Sequence, residues 1–168
     1  MEAGVINVLF VDTRNAARSI LAEALLNRLG AGRFEAASAG FDPEARLSPF
    51  VIGLLHGMSY NVNLLATKPV EAMISKYAPA FDLIIRLSPG MPPNGRWPRA
   101  TRMVDWHIGD PHAVHTDKAR LAQAYRQISD DLAHHLDALV RQPAEHFRDG
   151  RITAWFDRID AAPVCIAS

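Results

Sequence analysis

The segment from Asp12 to Ser19 has residue types that suit an anion site. Asp12 follows a short apolar run, and mostly small residues separate it from Arg18. A positive charge in the first turn of a helix opposes the helix dipole, so Arg18 is poorly placed for stability alone. The same position suits a phosphate-like oxyanion, because free backbone N–H groups and a guanidinium can converge on it. This pattern leaves two interpretations open, an oxyanion site or a solvated surface arginine.

A second group of ionisable residues falls in one later loop. It consists of Asp105, His107, Asp110, His112 and His115. Histidines and carboxylates together can bind zinc. Polar loops also contain histidines without any metal, and we predict neither a metal nor a cofactor here.

The elements that must position these residues alternate in type along the chain. Apolar runs predict strands at 5–11, 34–38, 81–87 and 101–106. Helical spacing predicts helices that end at Gly30, that run from Ser48 to near Gly57, and that cover 68–77 and 116–142. Strands alternating with helices imply an α/β fold with three layers, in which a four-stranded parallel sheet is flanked by helices.

The end of the chain is predicted to be an addition to this domain. We expect residues 1–142 to form the α/β domain and 143–168 to be a C-terminal extension packed on it. The contact would use Ile152, Trp155 and Phe156, since exposing such an apolar cluster is unfavourable.

Composition narrows the function classes. The 168 residues contain 18 Lys+Arg and 18 Asp+Glu, so net charge suggests neither nucleic acid nor an anionic membrane as a partner. Neither a signal peptide nor a membrane-spanning run is evident, which predicts a cytoplasmic protein. The single cysteine, Cys165, excludes an internal disulfide and a two-thiol relay within the chain. The oligomeric state is left open.

Several ordered motifs carry a resemblance to a known family. The stretch 8–30 (VLFVDTRNAARSILAEALLNRLG) resembles the opening of low-molecular-weight protein tyrosine phosphatases and thioredoxin-coupled arsenate reductases. That family has a cysteine, five residues, an arginine and a serine between a strand and a helix; Arg18 and Ser19 match this pattern. The segments 38–40 (SAG), 48–49 (SP) and 106–111 (WHIGDP) resemble its second-strand end, its next helix start and its general-acid loop. The likeness covers roughly residues 5–141.

The resemblance implies a role for each matching residue. Asp12 takes the place of the nucleophilic cysteine, Arg18 would hold the oxyanion, and Asp110 would protonate the leaving group. The oxyanion-binding residues implied are Thr13, Arg14, Asn15, Ala16, Ala17, Arg18 and Ser19.

Asp12 is the departure on which the functional prediction depends. A carboxylate is far less nucleophilic than a thiolate, and 86–98 also lacks the redox cysteines of the reductases. We therefore expect a catalytically impaired protein that binds a phosphate-like oxyanion weakly, or binds a protein partner. One alternative is an active phosphate-ester hydrolase, with Asp12 as nucleophile or base and Asp110 as general acid. Others are an unrelated ligand role for Asp12 or a deliberate inactivating replacement.

Overall fold

Four strands form one parallel sheet in the computed structural model, which describes residues 4–160. They are β1 (Ile6–Asp12), β2 (Phe34–Gly40), β3 (Phe81–Arg86) and β4 (Ala100–Asp105), in the order β2-β1-β3-β4. All three pairings are parallel. Parallel strands need crossover connections, and helices supply them between β1 and β2 and between β2 and β3, whereas a loop over 87–99 joins β3 to β4. Helices flank the sheet. The predicted fold class is confirmed.

Residues 4–160 contain six α-helices, numbered here in chain order. They are α1 (Arg18–Leu29), α2 (Pro49–Gly57), α3 (Pro111–Val114), α4 (Lys118–Val140), α5 (Ala144–Asp149) and α6 (Arg151–Asp160). Two 3₁₀ helices, Val62–Leu64 and Val70–Met73, lie between α2 and β3. Within residues 4–160, no helix is both long and apolar enough to cross a membrane.

The sheet divides the apolar residues into two cores of unequal size. Successive side chains of a strand point to opposite faces. Val8 and Phe10 of β1 enter the larger core, where α1, α2, α4, α5 and α6 pack. Leu9 and Val11 enter a smaller core, which also contains Val70. The partly buried side chains of Met73 and Trp97 pack against it. The α-helical layer therefore lies on one face, and the other face is covered by a 3₁₀ helix and loops.

The predicted helix over 68–77 is wrong, and the structure gives the reason. Here Lys68 and Pro69 run alongside the end of β2: the Gly40 N–H donates to the Lys68 carbonyl at 2.8 Å, and Gly40 pairs with Pro69 as an isolated bridge. Backbone held extended by a strand cannot be helical. Only Val70–Met73 forms a short 3₁₀ helix.

One helix start differs from its prediction, and another lacks a side-chain cap. The long helix α4 begins at Lys118 and not at 116, because the Asp117 carboxylate caps it by accepting the Arg120 N–H at 3.0 Å. The helix α2 begins after Ser48 as expected, but the Ser48 side chain makes no capping hydrogen bond.

The described part of the C-terminal segment contributes to the larger core. Phe147 of α5 and Ile152, Trp155 and Phe156 of α6 are buried there. Gly150 joins the two helices with φ +87°, a left-handed conformation that favours glycine. The predicted domain limit at residue 142 stays a prediction, and Cys165 lies outside the described residues.

Candidate functional site

The oxyanion loop, residues 12–18, connects β1 to α1 and is organised around the Asp12 carboxylate. Asp12 is 2% exposed, at the carboxyl end of a central strand. Its Oδ1 accepts the Asn15 N–H at 2.6 Å, and its Oδ2 accepts the Ser19 N–H at 3.1 Å. A helix start leaves its first N–H groups without intrahelical partners. In this chain an internal carboxylate takes two of the donors that an external anion could use.

The side chain of Asn15 anchors the loop by hydrogen bonds to neighbouring elements. Asn15 is fully buried with φ 46°, a left-handed conformation that asparagine tolerates better than most residues. Its amide donates to the Ser19 Oγ at 2.9 Å and to the Ser38 Oγ at 2.8 Å. Its side-chain oxygen, Oδ1, accepts the Lys68 backbone N–H at 2.7 Å. These bonds join the loop to α1, β2 and the segment alongside β2.

Gly40 lets β2 approach this loop closely. A Cβ at position 40 would lie 2.9 Å from the Asn15 Cβ and 2.9 Å from the Thr13 carbonyl oxygen. Both distances are shorter than real Cβ contacts allow. A side chain at this position would therefore push the oxyanion loop away from the sheet.

A second buried carboxylate, Glu23, joins the same network through Ser38. Glu23 of α1 accepts a hydrogen bond from the Ser38 hydroxyl, and the Lys68 Nζ lies 3.7 Å from its Oε2. Burial raises the pKa of Glu23, while the positive charge of Lys68 opposes this rise. This pair was not predicted from the sequence, because its members are distant in the chain and carry no motif.

Arg18 and Asp110 lie at the site, but each has a partner within the protein. Arg18 is 8% exposed and donates through Nη1 to the Ile108 carbonyl at 2.5 Å. Asp110 accepts the Arg14 Nη2 at 3.1 Å and, as the N-cap of α3, the His112 N–H at 3.0 Å. Glu44 lies 3.9 Å from the Arg14 Nη1. Both arginines therefore hold the segment around 108–110 against the oxyanion loop.

A pocket of about 490 Å³ opens beside the loop. Its lining includes Asp12, Ala16, Ala17 and Arg18 of the oxyanion loop. The remaining lining residues are Arg14, Glu44, Ala45, Arg46, Leu47, Ser48, Pro49, Phe50, Asp110, His112 and Tyr125. The structure thus brings together the three predicted catalytic positions. Of the predicted oxyanion-binding residues, Thr13, Asn15 and Ser19 do not line the pocket, and Asn15 and Ser19 are buried behind it.

An aromatic wall, formed by Phe50, His112 and Tyr125, borders this pocket and was missed by sequence reasoning. Phe50 stacks on Tyr125 with ring centroids 5.5 Å apart and planes 19° apart, and His112 lies 5.9 Å from the Tyr125 ring. Burial, followed by the negative charge of Asp110, raises the pKa of Tyr125 to about 12. The Tyr125 hydroxyl therefore stays protonated at neutral pH and can donate a hydrogen bond.

The histidine-rich loop is spread out in space. His107 lies 3.8 Å from the Asp105 carboxylate, whereas His112 belongs to the aromatic wall. Among residues 4–160, no group of three His, Cys, Asp or Glu side chains is arranged to hold a metal ion.

The fold and the site define an α/β protein with a pocket beside a strand–loop–helix connection at the carboxyl edge of its sheet. The sequence model described as "Low molecular weight phosphotyrosine protein phosphatase" matches residues 7–92, about half of the chain. The chain belongs to this family.

Comparisons with individual proteins agree with this assignment. The chain is 29% identical to the glutaredoxin arsenate reductase of Synechocystis over 107 residues, which are 62% of this chain and 77% of that protein. Among solved structures, an arsenate reductase in the phosphate binding state aligns with TM-score 0.62 and 22% identity, covering 81% of this chain and 97% of that one. The arsenate reductase from Archaeoglobus fulgidus aligns with TM-score 0.54 and 25% identity, covering 80% and 99%.

Proposed function

We propose that this protein is a catalytically impaired member of its family that acts by binding. The observation that carries the proposal is the position of Asp12. Its two carboxylate oxygens accept the Asn15 and Ser19 N–H groups from inside the loop. A residue held in this way stabilises the cradle and competes with any oxyanion for it. Its partner would be a weakly bound phosphate-like oxyanion or another protein, in the cytoplasm.

Electrostatic repulsion supports weak oxyanion binding. Two like unit charges 4 Å apart repel by about 4 kcal/mol at an effective dielectric constant near 20. A phosphate entering the pocket would meet the Asp12 charge. Arg18 offsets part of this repulsion, but its guanidinium already donates to the Ile108 carbonyl.

The contacts also disfavour catalysis by the two carboxylates. Attack by Asp12 on phosphorus would pull an oxygen away from a loop N–H that it stabilises. Asp110 accepts hydrogen bonds from Arg14 and from the His112 N–H, whereas a general acid must donate a proton. These contacts support the proposal that neither carboxylate carries out its step of hydrolysis.

Turnover of 4-nitrophenyl phosphate and reduction of arsenate with glutathione or thioredoxin test the proposal. We expect the wild-type rate to equal that of Arg18→Ala, which identifies the background of contaminating enzymes. Asp12→Cys, which introduces a thiol at the same place, serves as the positive arm. Wild-type turnover that disappears in both Arg18→Ala and Asp12→Asn would instead establish an aspartate-dependent hydrolase.

A further inference from the structure

The pocket beside the oxyanion loop has balanced charge and an aromatic wall. Its lining includes the arginines at 14, 18 and 46 and the carboxylates at 12, 44 and 110, so their formal charges cancel. With a neutral residue at position 12, the same lining would carry one net positive charge and would attract an anion. As it stands, the pocket favours a ligand without net charge.

The Asp12 carboxylate, which lines the pocket, selects for a hydrogen-bond donor. An ionised carboxylate only accepts hydrogen bonds, and each of its oxygens can accept two. Each Asp12 oxygen accepts one from a loop N–H. A phosphate group presents acceptor oxygens to this carboxylate, whereas a hydroxyl group presents a donor.

The wall and the volume select for an aromatic ring. Phe50 and Tyr125 stack on each other, and Leu47 and Pro49 extend the apolar surface. A volume of about 490 Å³ is within the range of small-molecule sites, which is about 300–1,000 Å³. An aromatic ring packed on this wall could direct a substituent toward Asp12.

We propose that the pocket binds a neutral hydroxyaryl group, of the kind that a tyrosine side chain carries, in preference to the phosphate ester of that group. The hydroxyl donates to the Asp12 carboxylate and the ring packs on the aromatic wall. This inference rests on the proposed binding function, and it reverses the ligand preference of a phosphate cradle.

Three forms of one ligand separate the contribution of the hydroxyl donor from that of the phosphate charge. They are N-acetyltyrosinamide, its O-methyl ether and its O-phosphoryl ester. Calorimetric or NMR titration of the wild-type protein should give the tightest binding for the free hydroxyl. The methyl ether removes the donor and adds a methyl group, and we expect about tenfold weaker binding. The phosphoryl ester should also bind at least about tenfold more weakly, because its charge is repelled by Asp12.

Variants at position 12 test whether these differences in affinity depend on the Asp12 carboxylate. In Asp12→Ala, the hydroxyl and methoxy forms should bind equally, and the phosphoryl form should become the tightest. Asp12→Asn provides a second, similarly shaped neutral variant if alanine impairs folding. Asp82→Ala is the matched control, since Asp82 also accepts a backbone N–H, from Asn7 at 2.8 Å, but lies at the opposite end of the strands. It should keep the wild-type order of affinities.

The outcomes separate this inference from the proposed function. Equal wild-type affinity for the hydroxyl and methoxy forms, or tightest wild-type binding of the phosphoryl form, overturns the inference. Absence of measurable binding by the hydroxyl form overturns it as well. Hydrolysis of the phosphoryl form that depends on Arg18 and Asp12 overturns the proposed function, and the titrations are then read on the unhydrolysed ligands alone.

Discussion

Replacing Asp12 by alanine removes the internal acceptor of the oxyanion loop, and the structure allows the effect on stability to be worked out. Two N–H groups, those of Asn15 and Ser19, lose their partner. An unsatisfied buried donor costs about 1–3 kcal/mol, which gives about 2–6 kcal/mol for the pair. Removing a buried charge returns part of this. We therefore expect the free energy of unfolding to fall by roughly 2–4 kcal/mol.

The same variant should regain stability from an oxyanion. Asp12→Ala leaves the loop donors and Arg18 free to bind phosphate or sulfate, and a ligand that binds only the folded state stabilises it. At one hundred times its dissociation constant the gain is about 2.7 kcal/mol. The wild-type protein should gain much less, because its carboxylate already occupies the donors.

Thermal unfolding followed by calorimetry or circular dichroism measures both effects. Each protein is melted in chloride and in sulfate or phosphate at equal ionic strength. In a domain of this size, 2–4 kcal/mol corresponds to a change in Tm of roughly 5–15 °C. Sulfate stabilises proteins generally by exclusion from their surface, so Asp82→Ala supplies the baseline. If Asp12→Ala gains no more from the oxyanion than Asp82→Ala does, the loop is not a latent anion cradle.

Three further predictions concern the supporting structure. Gly40→Ala should lower the free energy of unfolding by about 1–3 kcal/mol in chemical denaturation, since its Cβ would collide with Asn15; an unchanged midpoint would contradict the close approach. Burial raises the pKa of Glu23 above its ordinary 4.5, so stability should decrease as pH rises from 4.5 through the raised value; Glu23→Gln should lack this decrease, and parallel curves would refute it. Phe156→Ala should cost about 3–5 kcal/mol if α6 belongs to the core, with exposed Arg158→Ala as the control; equal stability of the two variants would contradict the packing.

Local signals in the sequence were sufficient for the four strands of the sheet, and they drew attention to the segment from Asp12 to Arg18. The apolar run before Asp12 indicated a buried strand, and Arg18 stood out because it opposes the helix dipole. These signals depend only on residues that are close together in the chain, so they can be read from the sequence. The resemblance then added Asp110, which is far from the loop in sequence.

The parts of the site that were not predicted come from contacts between distant segments. Phe50 and Tyr125 are ordinary apolar positions within their helices, and only the packing of α2 against α4 makes them one wall. The 68–77 segment shows the same effect in its backbone. Its composition favours a helix, but pairing of Pro69 with Gly40 holds the chain extended. In each case tertiary contacts determine a feature that local propensity does not predict.

The contacts of Asp12 explain why this fold tolerates a carboxylate at the position. The N–H groups of Asn15, within the loop, and of Ser19, in the first turn of α1, need an acceptor, and Asp12 supplies it from within the chain. Asn15, Ser38 and Glu23 add hydrogen bonds that join the loop to α1 and β2. No external anion is required to satisfy these two donors. Under the proposed binding function, specificity would then come from the charge balance of the pocket and from its aromatic wall.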